Sequence, residues 1–131
     1  MIVGIGHDIT DMNRMQAILA GSSARRFLQR ILTEPELKLG EGYEGKRKVQ
    51  FASGRFAAKE AVVKAFGCGI GGIIGFGDIN ILRSESGKPE CVLSEGAWHR
   101  LGLSAAAIRI HITITHDREL ASAVAIVEQL A

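Results

Sequence analysis

Gly54-Arg55-Phe56-Ala57-Ala58-Lys59-Glu60-Ala61-Val62-Val63-Lys64-Ala65-Phe66-Gly67 is the stretch on which the fold turns. It is the second half of a run from Lys46 to Phe66 with no proline and a single glycine, Gly54. Val49, Ala52, Phe56, Val63 and Phe66 recur at helical spacing, which predicts one long helix over Lys46–Phe66 stopped by Gly67. Phe56, Glu60 and Lys64 fall at i, i+4 and i+8 on one face. Glu60 and Lys64 so spaced are ordinarily a solvated pair contributing about 0.3–0.5 kcal/mol. Here alanines flank the charges, so another backbone or a ligand has room to approach.

Upstream of the helix, Val3, Ile5 and His7 alternate with Gly4, Gly6 and Asp8 and predict a first strand, with Asp8 on the face of two glycines that leave room beside its carboxylate. A short helix over Met12–Leu19 closes at Gly21, and Ser22 or Ser23 caps a second helix over Ala24–Leu32. Thr33-Glu34-Pro35-Glu36 has capping-box spacing and opens a third. Downstream lies a glycine-rich loop, Gly67 to Gly77. Its Gly67, Gly69 and Gly72 match GxGxxG, but the motif follows a helix where a dinucleotide fingerprint follows a strand. The loop reads first as a helix stop and connector, with the alternative that its free backbone N–H groups cradle a phosphate. Strands follow at Ile79–Arg83 and Pro89–Leu93, joined by a short turn through Gly87, and Ser94 caps a helix through Leu101. Ile108, Ile110, Ile112 and Ile114 alternate with polar residues in the clearest strand of the chain, and a last strand spans Ala121–Val127. Helices grouped early and strands grouped late predict an α+β fold with an antiparallel sheet and the long helix packed on it.

The 131 residues make one domain's worth of chain, 1–131, with 47% apolar and 23% charged residues. A net charge of +2 and only 5% aromatics argue against nucleic-acid binding by charge and base stacking. Cys68 and Cys91 have neither disulfide-framework nor zinc spacing. The first residues lack the basic flank of a signal peptide, and no apolar run reaches the ~18 residues of a membrane span. The expectation is a cytoplasmic protein that makes no use of membrane.

Asp8 and Glu60, from different elements, would supply two hard oxygen ligands of the kind magnesium takes alongside water and phosphate oxygens. Taken alone, Asp8 reads as an N-cap for the following helix. Arg25, Arg26 and Arg30 lie on one side of the second helix, opposite Phe27, Leu28 and Ile31, with Arg14 just before. That is either a solvated basic face or a docking surface for an acidic partner. His116 closes the isoleucine strand. His7 points away from Asp8 on a regular strand and reads as structural.

These residues resemble the short bacterial 4′-phosphopantetheinyl transferases, the holo-acyl-carrier-protein synthases. The long-helix motif Gly54–Gly67 carries the resemblance. Gly4-Ile5-Gly6-His7-Asp8-Ile9, Ser86-Gly87-Lys88-Pro89 and Ile112-Thr113-Ile114-Thr115-His116 extend it along the chain. The resemblance implies transfer of phosphopantetheine from coenzyme A to a serine of apo acyl carrier protein, in support of fatty acid biosynthesis. It implies Asp8 and Glu60 as Mg²⁺ ligands, and Asp8, Glu60, Lys64 and His116 as the catalytic set. Arg55, Lys64, Gly67, Gly87, Lys88, Pro89, Thr115 and His116 would line the coenzyme A site, and Arg14, Arg25, Arg26 and Arg30 would hold the carrier. It also implies a homotrimer with sites between subunits, the isoleucine ladder near its centre, and Lys59 supporting the helix or a subunit contact. Two residues depart from the family pattern: His7 replaces an apolar residue, and Asp117 replaces Ser or Thr. Without the resemblance, a non-catalytic module docking an acidic protein through its arginines stands as the alternative, and nucleic-acid binding ranks last.

Overall fold

A computed structural model describes residues 1–131. In chain order the elements are β1 (Ile2–Asp11), α1 (Met12–Ala20), α2 (Ala24–Ile31), α3 (Glu34–Leu39), α4 (Gly45–Ala65), β2 (Ile79–Arg83), β3 (Pro89–Leu93), α5 (Glu95–Leu101), β4 (Ile108–His116) and β5 (Leu120–Gln129). The strands form two antiparallel sheets, β1-β5-β4 and β2-β3, where one was expected. Helix α4 packs on the inner face of the larger sheet and carries the core with it. Val62, Val63, Ile74, Ile79 and Ile81 are fully buried, each a gain of roughly 1.5–3 kcal/mol from removing apolar surface from water.

Local chemistry fixes the helix ends. Thr33 and Glu36 complete the capping box of α3. Ser94 accepts from the Ala97 N–H at the start of α5. Gly67 takes φ +79°, and the Cys68 N–H reaches the Val63 carbonyl while the Gly67 N–H reaches that of Lys64. That double bond pattern is a glycine-terminated Schellman stop. Ser23, in contrast, makes no side-chain cap on α2.

Strand β1 outruns its sequence signal. Pairing with β5 carries it past Asp8 to Asp11, and it is Asp11 whose carboxylate caps α1 through the N–H groups of Asn13 and Arg14. Asp8 is therefore free of capping. The space beside Gly4 and Gly6 is taken by α4, not left open for Asp8. A Cβ at Gly4 would stand 1.7 Å from the Ala65 carbonyl oxygen, and one at Gly6 would stand 1.8 Å from that of Ala61.

The isoleucine ladder turns inward. Ile108 and Ile112 are buried, Ile110 and Ile114 pack against the same core, and Gly54 admits Ile114 at 3.1 Å from where its Cβ would lie. The ladder, expected near the centre of an assembly, packs on the chain's own core. The opposite sheet face is the open one: Val3, Ile5 and Ile9 are 47%, 65% and 56% exposed, on the side of β1 away from α4.

Candidate functional site

Asp8 meets α4 because two glycines bring strand and helix together. The inner face of β1 reads Gly4, Gly6, Asp8; the first two let the helix backbone in, and the third arrives beside its last two turns. Lys64 Nζ lies 2.9 Å from Asp8 Oδ1 and also donates to the His7 carbonyl at 3.1 Å. The pairing of Lys64 is thus with Asp8 across elements, not with Glu60 along the helix. Burial lifts the Glu60 carboxyl above its usual value, the neighbouring charge of Asp8 lifts it further, and Lys64 opposes both. A carboxylate whose ionisation is opposed by a second one close by, with a single cation beside the two, is suited to a second cation.

The donors fit magnesium. Nowhere in the chain do three or more His, Cys, Asp or Glu side chains gather in the manner of an all-protein metal cage. Mg²⁺ commonly takes one or two carboxylates and completes its shell with water and substrate phosphates, which the Asp8–Glu60 pair allows.

Arg55 belongs to a different place. Five residues at about 100° each put its side chain roughly 140° around the helix from Glu60. There it lines a cleft of about 280 Å³ with Tyr43, Arg47, Arg83, Gly87, Pro89 and His116, walled by Phe51 and Ile114. No carboxylate lines it. Arg55 is 6% exposed; its Nε donates to the Ile81 carbonyl at 3.3 Å, its guanidinium stacks over Phe51, and its Nη2 has no partner. Burial holds its pKa below the usual arginine value, Glu36 opposes the shift, and Arg83 adds to it. A buried, unpaired guanidinium nitrogen among two more arginines and a histidine is the electrostatics of a phosphate site.

Of the residues expected at coenzyme A, Arg55, Gly87, Pro89 and His116 converge in this cleft. Three do not. Lys88 borders a separate groove between β3 and β4, with Arg109 and His111. Thr115, pairing with Ser122, alternates with Ile114 and His116 and so stands on the outer sheet face. Gly67 is the stop of α4, three residues beyond Lys64, and does not line the cleft. Tyr43, Arg47 and Arg83 were not foreseen. Arg47 stacks over Tyr43 and bonds its hydroxyl, which holds the Tyr43 pKa below the usual phenol value. Only their spacing of four on the loop-to-helix boundary hinted at it.

His7 points outward as expected and bonds Ser122 across the strand pair at 2.9 Å. Asp117 is engaged in its own turn: its carboxylate accepts from the N–H groups of Glu119 and Leu120, both at 2.8 Å, and these bonds depress its pKa, so it stays ionised. Arg14, Arg25, Arg26 and Arg30 are all exposed and none is in an ion pair with a carboxylate. Arg14 edges a hollow of about 360 Å³ lined by Met15, Ile18, Phe27 and Phe56. A basic surface thus flanks an apolar one. Lys59 is not at any surface: it is fully buried, bonded to Glu36 within the chain.

Comparison with known proteins gives one answer. The family model for the 4′-phosphopantetheinyl transferase superfamily matches residues 4–125. The chain is 45% identical to the holo-[acyl-carrier-protein] synthase of Bacillus subtilis, over all of this chain and 99% of that one. It is 42% identical to the one from a Geobacillus species over the full length of both. Among solved structures it is similar to the Bacillus anthracis holo-(acyl-carrier-protein) synthase in complex with CoA (3′,5′-ADP), with a TM-score of 0.83 and 39% identity over 98% of each chain. The Helicobacter pylori synthase in complex with coenzyme A gives 0.81 and 31%, over 95% of this chain and 99% of that one. With its paired carboxylates on one flank of α4 and its arginine cleft on the other, the chain belongs to the 4′-phosphopantetheinyl transferase superfamily.

Proposed function

We propose that this protein transfers the 4′-phosphopantetheine group of coenzyme A to a serine of apo acyl carrier protein, releasing adenosine 3′,5′-bisphosphate. Residues 1–131 act as one transferase domain, in the cytoplasm; no helix is long and apolar enough to cross a membrane. The observation that carries the reading is the Asp8–Glu60–Lys64 cluster, in a chain that matches holo-acyl-carrier-protein synthases along its whole length.

Asp8 and Glu60 would hold Mg²⁺, which, when bound, neutralises charge developing on the pyrophosphate. Lys64 keeps Asp8 in place and adds a positive charge beside the transferred phosphoryl group. Arg55, with Arg47, Arg83 and His116, binds the phosphates of the nucleotide end, and Phe51, Pro89 and Ile114 form its apolar wall. The serine hydroxyl gives up its proton to solvent and its oxygen forms a bond to the β-phosphorus as the bond from phosphorus to the bisphosphate leaving group breaks. Arg14, Arg25, Arg26 and Arg30 hold the acidic carrier.

Glu60 and Arg55 face opposite flanks of α4, so one bound coenzyme A draws its metal end and its nucleotide end from two chains. This favours a homotrimer with sites between subunits, its centre built from the open sheet face of Val3, Ile5 and Ile9. Incubation with apo carrier protein, coenzyme A and Mg²⁺ should add one phosphopantetheine to the carrier, read by mass. An unchanged carrier mass, where a known synthase modifies the same sample, would overturn the reading.

A further inference from the structure

The capping-box acid of α3 is not at the surface. Glu36 is fully buried, and so is Lys59, two turns before the end of α4. Glu36 Oε1 accepts from the Thr33 N–H at 2.7 Å and from Lys59 Nζ at 2.6 Å. Its Oε2 accepts from the Ile81 N–H at 2.7 Å. Lys59 Nζ donates in addition to the carbonyls of Ile31, at 2.7 Å, and Phe76, at 3.0 Å. Ile81 is therefore held through both of its backbone polar groups: its N–H by Glu36, its carbonyl by Arg55 Nε.

This is a continuous chain of bonds, Lys59 to Glu36 to Ile81 to Arg55, and its last member presents the unpaired Nη2 among the cleft residues. Two buried cations share one buried carboxylate, so the network keeps one positive charge in surplus, and the atom left without a partner is the one a ligand anion would meet. A helix cap needs none of this. A capping acid is ordinarily a solvent-side group worth about 1 kcal/mol, whereas burying a carboxylate and an ammonium together commonly costs as much as it returns.

We propose that Glu36 and Lys59 are positioning residues for coenzyme A: through Ile81 they set the orientation of Arg55 in the cleft. The inference rests on the reading of that cleft as the nucleotide site. It is distinct from a role in folding alone, because both residues act on a strand, β2, that also carries Arg83 to the same cleft.

The test uses the full chain and isothermal calorimetry with coenzyme A, alongside kcat and KM for coenzyme A and for carrier protein. Glu36→Leu with Lys59→Met removes both charges together, a replacement by apolar groups that often preserves stability. The expected result is a folded protein whose Kd and KM for coenzyme A rise tenfold or more, while KM for the carrier changes less than twofold. A folded double variant that binds coenzyme A as the wild type does would overturn the proposal and leave the pair a purely structural one. Should that variant not fold, Glu36→Asp decides the matter. It keeps the charge but falls short of holding both Lys59 and Ile81, and the same selective rise in KM for coenzyme A is expected. Equal loss toward both substrates, or none, would overturn it. Wild-type protein that fails to bind coenzyme A would instead overturn the proposed function, so the two failures are distinct.

Discussion

Gly6 and Ala61 are in direct backbone apposition: a Cβ on Gly6 would lie 1.8 Å from the Ala61 carbonyl oxygen and 2.8 Å from its carbon. The clash is with helix backbone, which has no rotamer by which to yield. Gly6→Ala should therefore destabilise the protein by ~3 kcal/mol or more, at the upper end of overpacking effects, and should cost activity by moving α4 away from Asp8. Gly69→Ala, where a Cβ meets nothing within 4 Å, should stay within ~0.5 kcal/mol. Urea unfolding of the two variants checks the contrast.

Glu60 should oppose stability while serving the site. Its folded pKa is raised, by burial first and by Asp8 second, so between the ordinary carboxylate value and the raised one the native state binds more protons than the unfolded chain. Stability then falls as pH rises through that interval, and the deficit persists above it. Glu60→Gln should raise the unfolding midpoint at pH 7 and flatten its dependence over the acid range, while abolishing transfer. Added Mg²⁺ should raise the midpoint of the wild type and leave that of the variant unmoved. A variant less stable than wild type at pH 7, with the carrier still modified, would contradict both halves.

Lys64 should matter to turnover and hardly to stability. Its side chain is 52% exposed and its bond to Asp8 is partly solvated, so Lys64→Met should change stability by ~1 kcal/mol or less. Turnover should fall at least a hundredfold, because the same ammonium holds Asp8 and, in the proposed site, would face the phosphates. Unfolding curves and the carrier mass assay on one preparation separate the two effects.

Much of this was legible in local sequence. The stop of α4 at Gly67, the capping box at Thr33 and the strands Ile79–Arg83 and Pro89–Leu93 each depend on a few neighbouring residues, and the chain states them. What depended on partners elsewhere was not legible. Period two shows that the isoleucines of β4 share one face, but only the position of α4 makes that face the inner one. Asp11 takes the cap that Asp8 was a candidate for, because β5 keeps β1 extended for three residues more. Tyr43, Arg47 and Arg83 come from a loop, a helix start and a strand end, and no spacing rule joins them. Lys59 and Glu60 are adjacent in sequence, yet about 100° of helix turn sends one to the core and the other toward Asp8.

The arginine face should govern one substrate alone. Arg26→Glu with Arg30→Glu should raise KM for carrier protein tenfold or more and leave KM for coenzyme A within twofold, since neither residue lines the arginine cleft proposed for coenzyme A. Wild-type KM for the carrier should climb with ionic strength, and the variant's should not.

Mixing inactive variants should restore activity. Asp8→Asn leaves the cleft intact, and Arg55→Ala leaves the carboxylates intact. Co-expressed chains should yield assemblies in which some junctions pair a sound carboxylate flank with a sound cleft. Recovery of transfer, absent from either variant alone, is the expected outcome. Ile5→Lys on the open sheet face should abolish it by dispersing the chains, visible by sedimentation.

The roughly 140° between Arg55 and Glu60 on one helix has a consequence for how the enzyme's activity scales. On the proposed assembly, a folded chain alone would hold two half-sites, and the unit of catalysis would be a seam between chains. Specific activity should then depend on protein concentration, falling away on dilution below the assembly constant even though every molecule remains folded.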